Sequence, residues 1–166
     1  MKIKLYIIDL KKEGRILSKN TATELEQEVE SETIPAFGYE LIREVLLPEI
    51  LGNDAPDILY WAGKQLARKY PLNSFEEVIH FFKQAGWGDL TILNQTKTEC
   101  KLELSSTIIS KRLQSKETHH FQLEAGFLAE QIEILKQAVA ETFEHPRKRS
   151  GKVLFTVKWD HKDTVL

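Results

Sequence analysis

Residues 121–143 read FQLEAGFLAEQIEILKQAVAETF, and how this stretch folds decides where the core lies. At about 100° per residue, Phe121, Ala125, Leu128, Ile132, Leu135, Val139 and Phe143 share one stripe, the expected core face of one long helix. Leu123, Phe127 and Ile134 form a second stripe nearly opposite, with Glu124, Gln131 and Ala138 on the flank between. A helix apolar on two sides is sandwiched, either inside its own domain or against a partner chain. No reaction can be read from such a helix.

Upstream of it the period is two. Cys100, Leu102 and Leu104 alternate with Glu99, Lys101 and Glu103, a strand with one buried face. Leu90–Gln95 is its expected partner, joined through a hairpin at Asn94–Lys97. A short helix carrying Ile108, Ile109 and Leu113 should separate that hairpin from the long helix. Downstream, Val153, Phe155, Val157 and Trp159 alternate with Leu154, Thr156 and Lys158 as a last strand.

Three amphipathic helices come first. Pro35 can begin one whose inner face is expected to be Phe37, Leu41, Val45 and Pro48, widened by Ile42 and Leu46. Pro48 should kink or end it, since proline lacks the N–H and clashes one turn back. Gly52–Asn53 reads as a turn, and Asp57 as the cap of a second helix facing inward through Leu59, Ala62, Gly63, Leu66 and Tyr70, stopped by Pro71. Ser74 and Glu77 form a capping box for a third, with Phe75, Val78, Ile79 and Phe82 inward and Gly86 as its stop. Helices, hairpin, helices and a final strand predict an α+β fold. An antiparallel sheet of about three to four strands should pack against five helices.

Residues 1–35 differ from the rest. Met1–Leu10 reads as a short strand. Residues 11–33, with Glu24, Glu26, Glu28, Glu30 and Glu32, read as a mobile lead-in that buries no face. The expected domains are therefore an extension over 1–35 and a single α+β domain over 36–162.

The 166 residues suffice for one ordinary domain, and 42 % hydrophobic with 29 % charged residues is a soluble globular balance. A net charge of -2 gives no global attraction to nucleic acid. Arg147, Lys148, Arg149 and Lys152 lack interleaved aromatics and are expected to be solvated. Cys100 is the one cysteine, so no intrachain disulfide forms and a reducing cytoplasm fits. No apolar run approaches the roughly 18 residues of a membrane span, and the opening MKIKLYIIDL has too short an oily patch for a signal peptide.

No catalytic pattern stands out. His119 and His120 are adjacent, so they do not share a helix face, and no further ligand stands at zinc spacing; no metal or cofactor is expected. Cys100 should be a buried, inert thiol. Gly86–Trp87–Gly88–Asp89 reads as a helix-to-strand turn anchored by Trp87. Glu124 and Gln131, one heptad apart between oily stripes, are the polar groups that attract attention, because a buried carboxylate must be paired, bonded or protonated. The bland alternative is that Glu124 faces the positive end of its own helix. A ligand pocket, read from patterning, would draw on Trp61, Phe82, Leu102, Glu124, Phe127, Leu128 and Gln131.

Taken in order, residues 37–52 (FGYELIREVLLPEILG), 60–72 (YWAGKQLARKYPL), 81–90 (FFKQAGWGDL), 121–133 (FQLEAGFLAEQIE) and 157–160 (VKWD) resemble the YslB-like family of uncharacterised proteins from Gram-positive bacteria. The resemblance runs from about Ala36 to Asp160. That family resembles, more distantly, the ligand-binding fold of TRAPP transport-particle subunits, four-vinyl-reductase domains and haem-based nitric-oxide sensors. The resemblance implies helices on an antiparallel sheet, an oily cavity in several relatives and frequent homodimers. The Tyr-x-Ser-x-Arg haem motif and the vinyl-reductase cysteine and histidine pattern are absent here, and no motif places the TRAPP acylated cysteine on Cys100. The expected protein is a cytoplasmic, non-enzymatic module that binds an apolar small molecule or a protein partner. It is expected to form a homodimer through Leu123, Phe127, Ile134, Ile58 and Trp61. The alternatives are an enzyme using Glu124 as acid or base, and an adaptor acting through its N-terminal tail.

Overall fold

The computed structural model describes residues 35–160. The strand read at Met1–Leu10 and the lead-in read at 11–33 lie outside them. From Ala36 the chain is helical through α1 (Ala36–Glu40), a π-helical stretch (Leu41–Leu46), α2 (Leu47–Leu51) and a 3₁₀ turn (Gly52–Asp54), then α3 (Ala55–Lys69). There follow α4 (Phe75–Gln84), β1 (Asp89–Gln95), β2 (Glu99–Ser105), α5 (Thr107–Gln114), α6 (Gln122–Lys136), β3 (Val139–Arg147) and β4 (Lys152–Asp160). The strands form one antiparallel sheet in the order β1-β2-β4-β3. The expected α+β class is the observed one.

The sheet buries one face. Cys100 lies opposite Val157, Leu102 opposite Phe155 and Leu104 opposite Val153, all fully enclosed. β3 adds Ala140 and Thr142 to that face, opposite Trp159 and Val157. On it lies α6, and on α6 lies α3, so α6 is buried all round from Glu124 to Ile132. The two-faced helix is thus sandwiched inside its own domain. Gly63 and Gly126 make that possible: a Cβ on Gly126 would stand 1.8 Å from the Tyr60 carbonyl oxygen, and one on Gly63 would stand 2.1 Å from that of Leu123.

The long helix is shorter than its pattern. It ends at Lys136 because Gln137 turns left-handed at φ 53°, and the chain returns as β3. Phe121, Ala125, Leu128 and Ile132 are core as expected, whereas Val139 and Phe143 point outward on the strand, 44 % and 47 % exposed. Spacing of four places both on a helix stripe, and spacing of two places both on one strand face. Without a glycine or proline at the junction the pattern cannot separate the two. Pro146 fits in β3 because that strand is the sheet's edge.

Two further expectations change at the first helix. Pro48 does not end it. The Leu47 N–H reaches back five residues to the Ile42 carbonyl, and this wide turn relieves the clash a proline ring makes in a tight α-turn. The helix stops at Gly52, φ 62°. Its orientation is also reversed. Phe37, Leu41, Ile42, Val45 and Leu46 are exposed, Phe37 by 71 %, while Arg43 is buried. Asp57 lies in the first turn of α3, and Asp54 holds the cap position.

Tyr70, expected inward on α3, is 42 % exposed, and β1 runs on to Gln95, past the expected start of the hairpin at Asn94. The third amphipathic helix folds as read. Ser74 Oγ accepts the Glu77 N–H at 3.2 Å, and Glu77 accepts the Asn73 N–H at 2.8 Å. Gly86, φ 69°, ends α4, and Trp87 anchors the turn against Phe82 at 5.0 Å and Phe127 at 5.3 Å.

Candidate functional site

The helix 36–51 is held to the body by a seam of charges. Its inward residues are Tyr39, Glu40, Arg43 and Glu44. Arg43 Nη2 donates to both oxygens of Glu124 on α6 at 2.6 Å, Nη1 donates to the Tyr39 hydroxyl at 2.9 Å, and Nε lies 3.3 Å from Glu44. Arg112 on α5 donates to Glu40 at 2.5 Å and lies 3.2 Å from Glu44. The second Glu44 oxygen meets His119 Nδ1 at 2.6 Å, and His119 Nε2 meets the Ser115 hydroxyl at 2.7 Å. Burial opposes the Arg43 charge, but Glu124 and Tyr39 outweigh it and hold the guanidinium above its ordinary range. A π-helical turn that presents a buried arginine is a local irregularity of the kind that recurs at functional sites.

Beside the seam, under the same helix, opens a cleft of about 380 Å³. Leu47, Pro48, Pro56, Leu59 and Leu123 wall it, Arg43, Glu44 and His119 form its polar side, and Glu117, Thr118 and His120 stand at its margin. A second cleft, about 510 Å³ and more open, lies along β3 beside Tyr60, Lys64 and Glu133. Here Tyr60 and Glu133 close the sheet edge: the Thr142 N–H donates to the Tyr60 hydroxyl at 3.2 Å and the Ala140 N–H to Glu133 at 3.1 Å.

The seven residues read as a pocket do not come together around either cleft. Phe82, Leu102, Phe127 and Leu128 are fully enclosed in the core, and Phe127 stacks on Phe81 at 4.5 Å. Trp61 is 63 % exposed on α3. Gln131 ties the end of α3, donating to the Tyr70 carbonyl at 2.7 Å and accepting the Leu72 N–H at 3.1 Å. Glu124 has both oxygens on Arg43. The buried carboxylate was visible on the flank of its helix; its cation, 81 residues earlier, was hidden among residues that read as a solvent face. His119 and His120 sit at the entry to α6, and His120 lies 3.5 Å from Glu144, which accepts the Phe121 N–H. Burial pushes the Glu144 carboxyl up against the pull of that N–H and of His120. Burial likewise raises the Cys100 thiol. Among the described residues, no helix is long and apolar enough to cross a membrane.

Residues 36–158 match a family described as proteins of unknown function, DUF2507. The uncharacterized protein YslB of Bacillus subtilis (strain 168) is 53 % identical over 130 residues, which are 78 % of this chain and 88 % of that protein. Among solved structures, a vinyl-4-reductase family protein from Methanocaldococcus jannaschii superposes with a TM-score of 0.62 at 23 % identity, over 87 % of this chain and 98 % of that one. That likeness is one of fold. A trafficking protein particle complex subunit 3 from Naegleria fowleri, covalently bound to palmitic acid, is similar at a TM-score of 0.40 and 11 % identity, over 86 % of this chain and 98 % of that one.

Proposed function

We propose that this chain, which belongs to the DUF2507 family, is a cytoplasmic, non-enzymatic interaction module that works as a homodimer. The observation that carries the reading is the inverted helix. Its Glu40, Arg43 and Glu44 face the body, and Phe37, Leu41, Ile42, Val45, Leu46 and Ile50 face out, as do Ile58 and Trp61 on α3. Monomeric soluble proteins rarely expose so large an apolar surface. Together these side chains offer roughly the 800 Å² that one partner contributes to a stable interface. A two-fold axis would let the same face serve both chains.

Two features favour this face and a protein partner. The β3 edge is closed by Tyr60 and Glu133, so strand addition there is blocked. Glu49, Asp54 and Asp57 are exposed beside the oily face and would repel an anionic lipid surface. The interface therefore moves from where the sequence suggested. Phe127 is enclosed and Leu123 half-buried under α3; Ile134 is exposed on α6 but lies outside the proposed face, to which the exposed Ile58 and Trp61 belong. The non-enzymatic part rests on Glu124, whose oxygens are both committed to Arg43.

Light scattering on the full chain tests the reading. At tens of micromolar the expected mass is twice 19.2 kDa. Ile42→Glu or Trp61→Glu, at exposed positions, should return the monomer mass with an unchanged far-ultraviolet spectrum. A monomeric wild-type chain, or a dimer indifferent to both substitutions, would overturn it.

A further inference from the structure

The cleft under the inverted helix has a volume within the range of small-molecule sites. Its character follows from what its polar side already does. Every nitrogen of the Arg43 guanidinium has a partner: Nη2 has Glu124, Nη1 has Tyr39 and Nε has Glu44. Both ring nitrogens of His119 are engaged, one by Glu44 and one by Ser115. Glu44 is itself divided between Arg43, Arg112 and His119. A charged ligand could pair with Arg43, Glu44 or His119 only by taking a partner from a buried charge, and an orphaned buried charge is costly. The other ionisable lining groups, Glu117 and His120, are exposed, where an ion pair is worth little. The apolar wall is made by Leu47, Pro48, Pro56, Leu59 and Leu123, and the exposed rim carries Asn53, Glu117, Thr118 and His120. The π-turn contributes to its shape, since the five-residue reach of the Leu47 N–H lets Pro48 stay in the helix and line the cleft.

We propose that this cleft binds a small uncharged molecule with an apolar body, one that carries at most a hydroxyl group. The hydroxyl would find Thr118 or Glu117 at the margin, where accepting or donating a hydrogen bond disturbs no ion pair. The site uses the inward side of the helix and α3, so it is occupied in a monomer or a dimer alike.

Three indoles with the same ring and different charge test this on the full chain: tryptophol, which is neutral, indole-3-acetate, an anion, and tryptamine, a cation. In amide chemical-shift titrations tryptophol should saturate, with shifts centred on residues 47–59 and 117–123. The two charged indoles should bind at least about tenfold more weakly. Leu59→Trp fills the wall and should abolish the shifts. Asn53→Trp, at an exposed part of the rim, makes the same test should the first variant fail to fold. Absence of saturable tryptophol binding, equal affinity for all three, or binding that survives a folded blocking variant would overturn the proposal.

Discussion

Arg43 shows how one side chain sets the orientation of an element. Placed among Phe37, Leu41, Ile42, Val45 and Leu46, it is the minority residue of its helix, and hydrophobicity alone would turn it to solvent. The structure instead buries it against Glu124 and leaves the oily residues out. Breaking such a pair costs more than replacing it, because the surviving charge stays in a site that no longer solvates it. Arg43→Met should therefore destabilise the protein by about 3–5 kcal/mol, read as a lower urea midpoint. Adding Glu124→Leu to Arg43→Met should recover much of that loss. A double variant as weak as Arg43→Met would show that Arg43 acts through its packing and its other partners rather than through Glu124. The sequence disclosed half of this: Glu124 was recognisable as a carboxylate between apolar stripes. Nothing local pointed to Arg43, because a contact across 81 residues leaves no periodicity.

At the scale of elements, legibility followed the punctuation. Where stop and start residues stand, as at Ser74 and Glu77, at Pro71 and at Gly86–Gly88, boundaries were readable because each residue type satisfies a specific backbone need. Where a left-handed turn is made by Gln137, no such mark exists, and the first five residues of β3, Val139–Phe143, read as helix. The face of the first helix was lost for another reason: its apolar residues cover more than half its circumference, so periodicity does not choose a side. Gly126 is a third kind of case. In a helix interior it looks like a weak point costing about 1 kcal/mol relative to alanine. Its role appears only once α3 crosses it, with the Tyr60 carbonyl where a methyl would stand. Gly126→Ala should thus destabilise by about 2 kcal/mol or more in spite of the better helix propensity. Gly38→Ala, with nothing within 4 Å, should stabilise by about 0.5–1 kcal/mol. Chemical denaturation of the pair distinguishes them, and a Gly126→Ala protein as stable as wild type would mean that the crossing yields without strain.

For the whole molecule, the division of labour between polar and apolar contacts determines how stability should depend on concentration. The sheet, α6 and α3 close a core of their own, with Phe82, Phe121, Phe127 and Phe155 fully enclosed. The inverted helix adds ion pairs to that core and reserves its oily side chains for the proposed second copy. Association then stabilises the native chain by mass action, whereas the core contributes the same at any dilution. A hundredfold dilution removes about 2.7 kcal/mol per dimer, or about 1.4 kcal/mol per chain, which for a domain of this size lowers the thermal midpoint by roughly 4 °C. Wild-type protein should show that fall between about 100 and 1 μM, and Ile42→Glu should melt at one temperature throughout. If the wild-type midpoint stays constant while light scattering still reports a dimer, the interface contributes nothing that unfolding releases. The outward helix face would then be ruled out as the surface that joins the two chains.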